Sequence, residues 1–127
     1  MDDLIKKARE ARKYSYSPYS NFKVGSAIKT KDGKIFTGCN VENASYNMGM
    51  CAERIAIFKA VSEGSKEFES IAISSSSNKP VYPCGGCRQV LSEFGDIKIY
   101  IDNTDDEYLL SDLLPKAFEK NQMKEWF

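Results

Sequence analysis

Two cysteine clusters stand at predicted helix starts in a chain of 127 residues that contains no histidine: Cys51-Ala52-Glu53 and Pro83-Cys84-Gly85-Gly86-Cys87. Cys84 and Cys87 are close to one helical turn apart, so their sulfurs converge on one side of a helix start. Two thiolates do not complete a tetrahedral zinc, and Cys51, which also sits where a helix begins, is the natural third ligand. A fold that satisfies this pattern has to bring two helix N-termini, distant in sequence, to one point. Three protein ligands leave the fourth position for water, the layout of a catalytic site, and Glu53 lies near enough to take a proton from that water.

An all-sulfur site carries excess negative charge, which makes the metal a weaker acid toward its water than neutral imidazole ligands would. Arg54 and Arg88, each adjacent to a cluster, and the two helix N-termini are the groups available to hydrogen-bond the sulfurs, with Arg54 expected to do most of this. Without histidine, the proton transfers fall to Glu53. Plainer readings stand beside this one. A lone C-x-x-C is only moderately specific, any single cysteine can be a buried thiol or half of a disulfide, and Cys39 as a fourth ligand would make a closed structural site. Cys39 ends a predicted strand, where packing is its expected role.

The rest of the chain alternates helix and strand signals. Apolar spacing at Leu4, Ile5, Ala8, Ala11 and Arg12 predicts a helix from about Asp3 to Tyr16, with Asp2 or Asp3 as a cap, broken by Ser17-Pro18-Tyr19-Ser20-Asn21. Phe22 to Thr30 and Lys34 to Cys39 read as strands joined by a hairpin at Lys31-Asp32-Gly33. After a polar loop from Gly38 to Gly49, a helix runs from Cys51 to a stop at Gly64. A strand from Glu69 to Ser75, a loop from Ser76 to Tyr82, a helix from Cys84 to Phe94 and a strand from Ile97 to Ile101 follow. Ser111 to Phe127 is expected to be helical with a break at Pro115. This order predicts crossover connections and helices packed on a sheet, an α/β layered domain.

Length and composition fit a single domain over residues 1–127, with 42% hydrophobic and 28% charged residues. Basic and acidic residues balance at 18 each, which argues against a nucleic-acid partner. No run of apolar residues suggests a membrane span or signal peptide, so a cytoplasmic location is expected. In a reducing compartment, closely spaced cysteines read as metal ligands before they read as disulfides.

Cys51-Ala52-Glu53-Arg54 together with Pro83-Cys84-Gly85-Gly86-Cys87-Arg88-Gln89 resembles the zinc-dependent deaminases. Ser17-Pro18-Tyr19-Ser20-Asn21-Phe22, Gly38-Cys39-Asn40-Val41-Glu42-Asn43-Ala44-Ser45-Tyr46 and Leu113-Leu114-Pro115-Lys116-Ala117-Phe118 extend the resemblance to the small homotetrameric cytidine deaminases of pyrimidine salvage. The resemblance implies a three-layer α/β/α fold with a central mixed sheet of about five strands. It also implies Zn²⁺, one ion per chain, on Cys51, Cys84 and Cys87. The implied reaction converts cytidine and 2′-deoxycytidine to uridine and 2′-deoxyuridine with release of ammonia. A zinc-activated water attacks C4 while Glu53, having taken the water's proton, delivers it to N3 and then passes a second proton to the leaving amine.

In such enzymes Asn40 and Glu42 would hold the ribose 3′-hydroxyl, and the Ala52 N–H would help orient the pyrimidine. Phe22 would pack near the nucleoside, and Phe118 of a neighbouring subunit would stack on the base, so that sites are completed between subunits of a homotetramer. Taken without the resemblance, Asn40 and Glu42 are polar loop residues and the two phenylalanines are core packing. The chain departs from the family pattern at Tyr82, where Ser is common, and Gly86, where Ala is. Gly86 is expected to free the ligand turn, and Tyr82 to bear on access to the metal. Two rival functions are deamination of another cytosine nucleoside such as blasticidin S, which the Asn40-Val41-Glu42-Asn43 run argues against, and a non-catalytic zinc protein that binds nucleosides.

Overall fold

The computed structural model describes residues 1–123. Helix α1 spans Asp2–Ala11, and strands β1 (Val24–Thr30) and β2 (Ile35–Cys39) form the hairpin. Helix α2 (Ala52–Ser62), strand β3 (Phe68–Ser75), helix α3 (Gly85–Ser92) and strand β4 (Lys98–Ile101) follow, then strand β5 (Glu107–Leu109) and the short helices α4 (Leu110–Leu113) and α5 (Lys120–Met123). The five strands make one sheet in the order β2-β1-β3-β4-β5. Only β3 and β4 pair in parallel; β1 is antiparallel to both β2 and β3, and β5 is antiparallel to β4. The sheet is therefore mixed: α3 is the crossover between β3 and β4, and α2 carries the chain from β2 across β1 to β3.

Side-chain alternation along the strands sorts the core into two layers. On one face Ile28, Ile71, Ile73, Ile99 and Ile101 pack with Ala56, Ile57 and Ala60 of α2 and Leu91 of α3. On the other, Ala27 and Ala72 meet Leu4, Ile5 and Ala8 of α1. Helices thus cover both faces in three layers. The small residues on the α1 face let that helix lie close to the sheet, and each fully buried isoleucine on the other contributes about 1.5–3 kcal/mol.

Several boundaries differ from the sequence expectation. Helix α1 ends at Ala11 and passes into a 3₁₀ turn, Arg12–Tyr14; the Arg12 guanidinium bonds Ser74 Oγ at 2.8 Å and the Ser75 carbonyl, so this residue does not join the apolar row. Neither Asp2 nor Asp3 caps the helix; both sit in its first turn, where they face the positive end of its dipole. The hairpin turns at the expected place, with Gly33 at φ 93°, but β1 starts at Val24, two residues after Phe22. The fifth strand, β5, lies in an acidic stretch that carries no strand signal. The expected C-terminal helix is two short ones separated around Pro115, and its predicted end at residues 124–127 lies outside the described residues. Among the described residues, no helix is long and apolar enough to cross a membrane.

Candidate active site

The site lies where α2 and α3 begin. Cys51 is the N-cap of α2 and Cys84 the N-cap of α3, both with extended backbone, and their carbonyls accept the first helical bonds from Ile55 N (3.1 Å) and Arg88 N (3.0 Å). Cys87 sits one turn into α3, so a single helix start presents two sulfurs. Gly38 sets how close α2 comes to β2: a Cβ there would lie 2.6 Å from both the Ala52 carbonyl oxygen and the Ala56 nitrogen. An isolated glycine in a strand signals such a close approach.

The sulfurs of Cys51, Cys84 and Cys87 all lie within 4.8 Å of one another, and Cys51 and Cys84 are 3.9 Å apart. A tetrahedral zinc with Zn–S bonds of about 2.3 Å needs sulfurs ~3.8 Å apart, so the donor set fits that ion in number, type and spacing. Cys39 stands apart at the end of β2, outside the cluster. Burial pushes its thiol up. In the metal-free chain the Cys87 thiol, helped by Arg54, draws Cys51 below the usual thiol range. Cys87 is pushed up by the same hydrogen bond and by burial.

Glu53, in the first turn of α2, is only 5% exposed. Burial raises its carboxyl to about 6, with the charge on Cys51 acting in the same direction. A carboxyl held there can take and return a proton near neutral pH. Arg54, one turn beyond Cys51, donates from Nη2 to Cys51 Sγ at 3.4 Å, and Cys51 and Cys87 together hold its guanidinium in the charged form. Its Nε is buried and has no hydrogen-bond partner among the described residues. The guanidinium lies over Gly86, 3.5 Å from where a Cβ would stand. Gly86 is regular helix here, so its distinction is the surface it offers Arg54.

One expectation needs correction. Arg88 does not face the sulfurs: its Nε donates to the Pro83 carbonyl and its Nη1 to the Leu113 carbonyl, both at 2.7 Å. Tyr82 packs its ring edge-on to Tyr108 of β5, with centroids 5.7 Å apart and the hydroxyls 3.4 Å apart, and so ties the residue before Pro83 to the edge strand.

The polar loop comes beside this centre through paired backbone bridges. Val41 pairs with Tyr16 on one side and with Met50, next to Cys51, on the other. Asn40 Oδ1 accepts from Val24 N at 2.9 Å and from Ser15 Oγ, while its Nδ2 donates to the Phe22 carbonyl at 2.8 Å. The Glu42 carboxylate accepts from the N–H groups of Tyr19 and Ser20, each at 3.1 Å, and from Ser20 Oγ. These bonds hold it below the usual carboxylate range, the Ser20 hydroxyl most. Both side chains keep spare capacity, one N–H on Asn40 and lone pairs on Glu42. Ser15 and Ser20, which the sequence reading did not single out, complete this network. Phe22 is partly exposed at the loop's end. Phe118 is elsewhere: it lines a groove with Ser92, Phe94 and Gly95 at the far end of α3 from the cysteines.

Residues 1–102 match the sequence model of the cytidine and deoxycytidylate deaminase zinc-binding region. The chain belongs to the cytidine and deoxycytidylate deaminase family. Cytidine deaminases of Halalkalibacterium halodurans and Sporosarcina psychrophila are 46% and 44% identical to it, over 96% and 97% of this chain and 96% and 94% of theirs. A crystal structure of cytidine deaminase from Burkholderia pseudomallei superposes with a TM-score of 0.87 at 47% identity, covering 92% of this chain and 98% of that one. The mixed five-stranded sheet with helices on both faces is the fold of this family, and the Cys51, Cys84 and Cys87 cluster fits its zinc-binding character.

Proposed function

We propose that the chain is a hydrolase that deaminates cytidine and 2′-deoxycytidine to uridine and 2′-deoxyuridine with release of ammonia, using a zinc site on Cys51, Cys84 and Cys87, one ion per chain. The observation that carries this reading is the convergence of three sulfurs at two helix starts with the buried Glu53 two residues beyond Cys51. Bound there, zinc supplies the Lewis acidity that makes water a competent nucleophile near neutral pH. Glu53 would take one proton from the attacking water and deliver it to N3 of the base, then take the second from the new C4 hydroxyl and pass it to the departing amine. Arg54 withdraws negative charge from Cys51 and Cys87. The Ala52 N–H, at the start of α2, is placed to orient the pyrimidine.

The spare N–H of Asn40 and the free lone pairs of Glu42 suit a ribose hydroxyl, which both donates and accepts, and Phe22 packs beside the nucleoside. Phe118 acts on the base of a neighbouring subunit: it lines a groove with Ser92, Phe94 and Gly95 beyond the end of α3 and not at the sulfurs, which supports action in trans and an oligomer, read as a homotetramer. Exposed Tyr16, Val41, Tyr46 and Met48, with Tyr46 97% exposed, offer apolar surface for such contacts. The enzyme is read as a cytoplasmic member of pyrimidine salvage. The relatives are cytidine deaminases, and the blasticidin-type and non-catalytic alternatives are not favoured.

The test is ammonia release and loss of cytosine absorbance from cytidine, 2′-deoxycytidine and free cytosine by purified protein of measured zinc content. Turnover of both nucleosides with zinc at one per chain is the expected result. Cytidine binding by zinc-loaded protein without ammonia release would overturn the reading.

A further inference from the structure

The two residues that follow Cys87 hold the C-terminal arm. Arg88, as described, spans the Pro83 and Leu113 carbonyls. Gln89 Nε2 donates to the Phe118 carbonyl at 2.8 Å. Between these anchors Pro115 cannot extend α4, and Lys116 turns the chain with φ at 53°. One turn of α3 therefore supplies a sulfur of the cluster and two donors that fix where the arm leaves α4 and where Phe118 sits. The Phe118 backbone is anchored on its own α3 while the residue stays 49% exposed. Gln89 is itself exposed. A hydrogen bond spent at the surface on a backbone carbonyl adds little to folding, but it removes freedom from the residue it holds.

We infer that Gln89 is a positioning residue for substrate binding: it holds the Phe118 backbone on α3 so that the ring is pre-set for the nucleoside. This rests on the proposal that Phe118 stacks on the base. Pre-organising the ring lowers the ordering cost of binding and leaves proton transfer at Glu53 untouched. The effect thus falls on KM and not on kcat. Arg88 does the same for the start of the arm, and through Pro83 it ties that point to the loop carrying Cys84.

Gln89→Glu keeps the shape of the side chain and removes the N–H that binds the carbonyl. Steady-state kinetics on cytidine are compared for the native chain, Gln89→Glu, Phe118→Ala and the double variant, with zinc content and tetramer mass measured for each. The expected result is a KM raised about three- to tenfold in Gln89→Glu with kcat and zinc unchanged. In the double variant, KM should rise no further than in Phe118→Ala alone. If Phe118→Ala raises KM and Gln89→Glu does not, the positioning role is wrong and the stacking role stands. Equal effects of Gln89→Glu with and without Phe118 also overturn the inference, because Gln89 then acts through something else. A silent Phe118→Ala overturns the stacking proposal and this inference with it.

Discussion

Arg54 Nη2 lies 3.4 Å from Cys51 Sγ across the first turn of α2, so the helix that begins at a proposed zinc ligand also carries the cation that neutralises it. The same guanidinium lies over Gly86 of α3, where Cys87 also favours its charged form, so one positive group stands between the two helix starts.

Removing that cation leaves three thiolates with only the helix N-termini to draw off charge. Arg54→Ala is expected to lower turnover at least about tenfold, the scale of a lost hydrogen bond to a charged group, and to move the kcat–pH profile. Metal analysis separates this from ligand loss: zinc stays near one per chain if Arg54 tunes the site, and unchanged turnover with an unchanged pH profile would sink the idea.

Glu53→Gln preserves size and helix position while removing the group that carries the proton. Zinc content is expected to hold, with kcat lowered roughly 10²–10⁴-fold. Retained activity would show that another group carries the proton.

Much of this arrangement can be read from residues in order. The Asp32-Gly33 turn, the alternation at Ile71 and Ile73, and cysteines at both helix starts each carry a local signal that the fold obeys. Arg88 carries none: its direction depends on the Leu113 carbonyl, which tertiary packing alone brings near. Strand β5 is equally silent, because a three-residue edge strand has neither a long apolar alternation nor two buried faces. Asn40 and Glu42 were legible as polar residues of a loop, yet their bonds to Phe22, Tyr19 and Ser20 require a loop from another part of the chain.

Gly38 offers a stability test that reports on the site. Gly38→Ala forces its new Cβ against the backbone of Ala52 and Ala56, so β2 and the first turn of α2 must separate. The expected cost is about 1–3 kcal/mol in chemical denaturation. Zinc should also be held less tightly, since Cys51 moves with α2. Stability and zinc retention equal to the native chain would show that the close approach does not set the position of Cys51.

Away from the site, Asp102 is 4% exposed and accepts from Arg9 Nε at 2.8 Å and from Ser74 Oγ at 2.7 Å, joining α1 to the ends of β3 and β4. The Arg9 hydrogen bond is the main cause that holds its carboxyl below the usual range. With the folded value depressed, the pair stabilises the fold above the unfolded Asp value of about 3.9 and loses that contribution as pH falls through the folded value. Melting curves of the native chain and Asp102→Asn should therefore differ most near neutral pH and converge in acid below that window. A difference that persisted undiminished into strong acid would exclude the ionised carboxylate as its source.

Chelation should change which thiols react. In the metal-free chain Cys51 is drawn toward the thiolate and Cys84 is exposed, so both are expected to react quickly with a disulfide reagent. Cys87 is buried and pushed up, and Cys39 is half-buried and pushed up by burial, so both lag. Zinc should protect Cys51, Cys84 and Cys87 together and leave Cys39 as the only reactive thiol, slow in either state. Mass mapping of labelled peptides at intervals after chelator addition distinguishes the four. A zinc-loaded protein in which Cys51 or Cys84 still labels as fast as in the metal-free form would rule out the three-sulfur site, and Cys39→Ala with reduced zinc would instead bring Cys39 into it.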